Sequence, residues 1–138
     1  MRLSRRGQGI AILAVVVLAV LLVRHIREGR LAARREAAYA AALNGYSREF
    51  TSGMSRQQVR AKLVARGVPF HEVCCEGDQR RWAILIRVGE EPAPWFCSRW
   101  RVYVALVFTG QETGEGFDPV ETDALVAPEI VRQGEGCL

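Results

Sequence analysis

Four cysteines offer the clearest chemistry in this 138-residue chain: Cys74 and Cys75 side by side, then Cys97 and Cys137. Zinc sites usually pair their ligands about two to four residues apart, and thiol oxidoreductases carry Cys-x-x-Cys at a helix N-terminus, where the thiol pKa falls. The spacings here are 1, 22 and 40, which fit neither pattern. Two structural disulfides in an oxidising compartment fit better. Neighbouring residues on a strand point to opposite faces, so Cys74 and Cys75 are expected to serve different partners. One bridge would tie down the "EEPAPWFCS" loop through Cys97, and the other would hold Cys137. Which cysteine takes which partner is left open. Each closed loop is worth about 3–4.5 kcal/mol in the chain-entropy picture, which matters to a folded part of about 95 residues with a limited core.

Other reactive groups are sparse. His25 and His71 are the two histidines, and Glu72 adjoins the second. No serine or cysteine sits in a nucleophile motif, and no Gly-rich phosphate loop follows a strand. The chain is therefore expected to be no enzyme, with no metal and no cofactor. Trp95 and Phe96, beside Cys97, are candidate interaction residues, because exposed aromatics next to a staple make good anchor points. The competing expectation is that Trp95, Phe96 and Trp100 fill the core.

The elements that must position these residues begin with residues 1–6, a basic flank. Residues 7–23, "GQGIAILAVVVLAVLLV", contain no charge. Seventeen residues of helix reach about 25 Å, near the lower limit for a membrane span. The expectation is an uncleaved transmembrane anchor in the lipid bilayer rather than a signal peptide, because no small-x-small cleavage site borders "LLVRHIREGR". Residues 24–46 read as a basic helical stalk stopped at Asn44-Gly45. Residues 47–138 form the folded domain. Residues 1–43 hold eight arginines against two glutamates, while the remainder holds eleven basic against thirteen acidic residues. The positive charge thus lies outside the folded part, so no nucleic-acid partner is expected.

Within the domain, "YSREFTSG" suggests a first short helix capped by Ser47 and ended by Gly53. In "GMSRQQVRAKLVARGVPF" Ser55 and Gln58 form a capping box, with Met54 and Val59 placed as a hydrophobic staple. Val59, Leu63 and Val64 supply the apolar face, and Gly67 with Pro69 stops the helix. Alternation predicts strands over Arg81–Val88 and Trp100–Phe108. Shorter strands are expected over Val68–Cys75 and Ala124–Val131, where Pro128 demands an edge or a bulge. Gly110–Gly116 reads as a loop. The fold class is α+β: an N-terminal transmembrane helix and stalk, then two helices, the first short, packed on a three- to four-stranded antiparallel sheet.

The run Phe50, Gly53, Met54, Ser55, Gln58, Val59 resembles the opening of SmpA/OmlA domains, the BamE-like envelope lipoproteins, over Phe50 to Phe70. The resemblance implies a small envelope domain that binds other proteins. Those lipoproteins begin with a lipidated cysteine, whereas here none precedes Cys74. "GEEPAPWFCS" and the terminal "EGCL" also resemble uncharacterised bacterial envelope proteins.

Together these readings give a non-catalytic, single-pass inner-membrane protein whose C-terminal domain faces the periplasm or the outside and contacts an envelope protein partner. The alternative is a cytoplasmic-facing thiol or metal sensor using Cys74, Cys75, Cys97 and Cys137. The arginine count beside the apolar run, taken alone, favours a cytoplasmic domain.

Overall fold

The computed structural model describes residues 5–76, 81–111 and 120–137, except for the side chains of residues 5–8, 10, 11, 75, 76 and 111. Two helices, α1 (Arg5–Glu49) and α2 (Arg56–Ala65), precede four strands. The strands are β1 (His71–Glu76), β2 (Arg81–Glu91), β3 (Arg99–Gln111) and β4 (Leu125–Glu135). They form one antiparallel sheet in the order β1-β2-β3-β4. The chain divides into two units, Met1–Ala38 and Tyr39–Leu138.

The first unit corrects the anchor expectation. Among the described residues no helix is long and apolar enough to cross a membrane. The described apolar side chains run from Ile12 to Val23 and are all exposed. The transmembrane helix in the expected fold class, the contact with a bilayer through residues 7–23 and the inner-membrane location that rested on them therefore find no support.

The second correction concerns the end of α1. Neither the stop at Asn44-Gly45 nor a separate helix capped by Ser47 exists, because α1 runs through both to Glu49. An interior glycine costs a helix about 1 kcal/mol. That cost is outweighed one turn later, where Tyr46 stacks on Phe50 at 6.1 Å and Phe50 is wholly buried. The chain then turns at Gly53, whose φ of 89° suits glycine.

Ser55 caps α2: its Oγ accepts from the Gln58 N–H at 3.3 Å, while Gln58 Oε1 accepts from the Ser55 N–H at 3.0 Å. The next two amides find carbonyls in the approach to β4, Arg56 N–H to Asp123 at 2.9 Å and Gln57 N–H to Glu121 at 3.1 Å. The helix N-terminus is thereby docked to the chain that enters the edge strand. Gly67, at φ 64°, ends α2. Val59 and Leu63 are buried, but Val64, expected on the same face, is exposed.

The main core lies between this helical layer and one face of the sheet. It gathers Phe50, Val59 and Leu63 with Ile84, Ile86, Val104, Leu106, Phe108 and Leu125. Alternation along β2 and β3 puts those residues on one face, with Ile84 opposite Leu106 and Ile86 opposite Val104. The other face buries Ala83, Leu85, Tyr103, Ala105 and Val107. Pro128 lies opposite Leu106 on the edge strand β4, where a missing N–H is tolerated. β3 extends through Gly110 to Gln111, which corrects the first two positions of the expected 110–116 loop; its remainder lies outside the described residues.

Candidate interaction site at a stapled hairpin tip

Residues 92–98 connect β2 to β3. Pro92 and Pro94 cannot donate to a ladder, which ends strand pairing at Glu91 opposite Trp100. The Cys97 N–H donates to the Pro94 carbonyl at 3.0 Å, closing a turn with Trp95 and Phe96 at its centre. Trp95 is 91% exposed and Phe96 39%. Their rings meet edge to face at 5.7 Å and 88°, a favoured aromatic geometry. The expectation that these two rings fill the core does not hold, whereas Trp100 is half-buried.

The tip is tied to the end of β4. Cys97 bonds to Cys137. The Ser98 N–H and Oγ both donate to the Glu135 carbonyl, at 3.0 and 2.8 Å. A Cβ on Gly134 would stand 2.5 Å from Cys137 Sγ and 2.6 Å from a Trp100 ring carbon. The sulfur therefore reaches its place against the indole only over a glycine. Ion pairs flank the tip: Arg132–Glu91 at 3.1 Å, Arg87–Glu90 at 2.6 Å and Arg101–Glu135 at 2.6 Å. A side-chain hydrogen bond with Tyr103 holds the Arg101 guanidinium above its ordinary pKa; desolvation opposes this and Glu135 adds to it.

The Cys97–Cys137 bond corrects the expectation that these two cysteines would each take one of the adjacent pair. The register of β3 on β4, Trp100 opposite Gly134 and Arg99 opposite Glu135, brings them together. Cys74 is itself disulfide-bonded, and the Cys75 side chain lies outside the described residues.

His71 and Glu72 do not converge. His71 lies edge to face with Tyr103 at 5.2 Å. Glu72 accepts from Arg56 Nη1 at 3.1 Å and pairs with Arg60 Nε at 3.1 Å. Among the described residues no three His, Cys, Asp or Glu side chains gather as a metal site needs. A groove of about 400 Å³ lined by Ala42, Gly45, Tyr46, Glu49 and Arg66 has its carboxylate paired with Arg66.

Sequence reasoning missed Arg56. This cation is wholly buried, its guanidinium carbon 4.3 Å from the Phe108 ring centroid and 5.9 Å from that of Trp82. Besides its bond to Glu72, its Nη2 lies 3.7 Å from Asp123 Oδ2. Arg60 extends the cluster to Glu121 at 2.6 Å. The available signal was spacing: positions 56, 59 and 63 share one helical face.

The chain matches no protein-family model, no curated protein and no solved structure.

Proposed function

We propose that residues Tyr39–Leu138 form a non-catalytic binding module that presents Trp95 and Phe96 to a protein partner. The observation that carries this reading is the Trp95 side chain, 91% exposed on a turn that a disulfide and two hydrogen bonds fasten to β4. A large ring ordinarily leaves water, and holding one outside has a use when a partner covers it, since tryptophans dominate binding hot spots. Fastening the turn beforehand lowers the ordering cost of association. The local resemblance to SmpA/OmlA domains supports the same class of function, because the residues that carry it are those that launch α2.

Photo-crosslinking from position 95 in the full chain, within its native cell, tests the proposal. A discrete adduct is expected from position 95 and none from position 64, where Val64 is also exposed. Equal adducts from both positions, or none from position 95, would overturn it. Once the partner is in hand, Trp95→Ala should weaken binding by at least about 2 kcal/mol, roughly thirtyfold.

A further inference from the structure

We propose that the Cys97–Cys137 bond is a thiol-exchange site: a dithiol reductant opens it in the folded protein, and the Trp95–Phe96 tip loses its order while the sheet stays intact. Three observations converge on it. The first is access. Cys137 is an exposed residue whereas Cys97 is 9% exposed, which makes Cys137 the end of the bond that an incoming thiolate meets from solvent, and exposed disulfides are the labile class.

The second is independence from the core. The main cluster is built from Phe50, Val59, Leu63, Phe108 and aliphatic residues, with no cysteine among them. The bond lies beyond Arg99–Glu135, the outermost β3–β4 pair. The third is how the tip is held. The turn bond from Cys97 N–H to Pro94 is internal to residues 92–98. Among the described residues, this segment is fastened to the end of β4 and the residues just after it by the disulfide and the two Ser98 bonds to Glu135. Among the described residues, opening the disulfide leaves the two Ser98 bonds to Glu135, and the turn carrying Trp95 lies on the far side of Cys97 from them.

The chemistry balances with a dithiol. Its thiolate attacks Cys137 Sγ, forming a mixed disulfide and expelling the Cys97 thiolate, which takes up a proton. The second thiol of the reductant, as thiolate, then attacks its own sulfur in the mixed disulfide and releases the Cys137 thiolate, also protonated. Two electrons and two protons pass to the protein, and the dithiol leaves as a cyclic disulfide. The inference goes beyond the binding reading and does not depend on it, since its readouts are sulfur reactivity and the order of the tip.

The test treats the folded protein with graded dithiothreitol, alkylates with N-ethylmaleimide, and maps both the labels and amide exchange by mass spectrometry. Cys97 and Cys137 should label together while β2 and β3 amides keep their protection. The amides of residues 95–98 should then exchange at least roughly tenfold faster. The Cys97→Ser/Cys137→Ser variant, which leaves Cys74 alone, should show the same amide-exchange pattern without reductant: fast exchange at residues 95–98 and protected β2 and β3 amides. Labelling that appears only when the sheet amides lose protection would overturn the proposal and make the bond a staple of the fold. So would a variant with an unprotected sheet, or tip amides unchanged after alkylation.

Discussion

The N-terminus of α2 and the β2–β3 tip both set aromatic rings beside a strong local tie, and they treat those rings in opposite ways. At α2, Arg56 is buried against Phe108, with Glu72 and Asp123 as its counter-charges. At the tip, Trp95 stands in water while a covalent bond does the holding. The first region joins a helix, β1 and the approach to β4, so breaking it loosens the layers of the fold. The second fastens one loop to one strand end. Burial marks where this molecule spends its cohesion, and the tip is where it does not.

Removing the buried cation should have the largest effect. Arg56→Ala leaves two carboxylates without their shared partner and a void beside Phe108. Breaking a buried pair from one side costs about 3–5 kcal/mol, and urea denaturation should show a loss of that size. If the loss is under about 1 kcal/mol, Arg60 is compensating and the contrast between the regions weakens.

The disulfide should come next. Cys97→Ser/Cys137→Ser removes a cross-link between residues 40 apart in sequence, and the global loss should be about 2–4 kcal/mol, arising mainly in the unfolded chain. The two variants are separable by m-value. Arg56→Ala changes native contacts and should leave m nearly unchanged, whereas an uncross-linked chain exposes more surface on unfolding and should raise it.

How much of this was legible depends on how local the cause is. The Ser55 cap could be read from four residues, because cap geometry needs nothing beyond them. The strands were legible from alternation, and Pro128 pointed to an edge. Arg56 was not, because an arginine at a core-facing spacing looks like surface until the carboxylates of Glu72 and Asp123 arrive from elsewhere in the chain. The Cys97–Cys137 pairing was hidden for a related reason: it follows from the β3–β4 register, a long-range fact. The helix stop at Asn44-Gly45 failed because the burial of Phe50 outvotes a weak local breaker. The apolar run of residues 7–23 is plain in composition, yet among the described residues no helix is long and apolar enough to cross a membrane.

A smaller effect tests the seat of the sulfur. Gly134→Ala places a Cβ 2.5 Å from Cys137 Sγ, so either the sulfur or the Trp100 ring must shift. Overpacking of this kind costs about 1–3 kcal/mol. Because the clash sits at the tie and not in the main core, thermal unfolding should shift modestly. The changed signals in a ¹H–¹⁵N spectrum should cluster at residues 97–100 and 134–137. Changes that reach Phe108 or Leu63 would mean that the two regions are mechanically one.

The smallest expected effect carries the most information about the tip. Trp95→Ala removes the largest side-chain type in the protein, yet at 91% exposure that ring has little burial to lose. Its contact with Phe96 is worth about 0.5–1.5 kcal/mol beyond area at most, and a surface substitution away from special features usually stays within about 0.5 kcal/mol. Stability by urea denaturation should therefore match the parent to within that margin. Set beside Arg56→Ala, this gives opposite profiles: a small buried change that destabilises and a large exposed one that does not. A loss above about 2 kcal/mol would show that Trp95 packs in solution, and the tip would then belong to the core rather than stand as a contact surface.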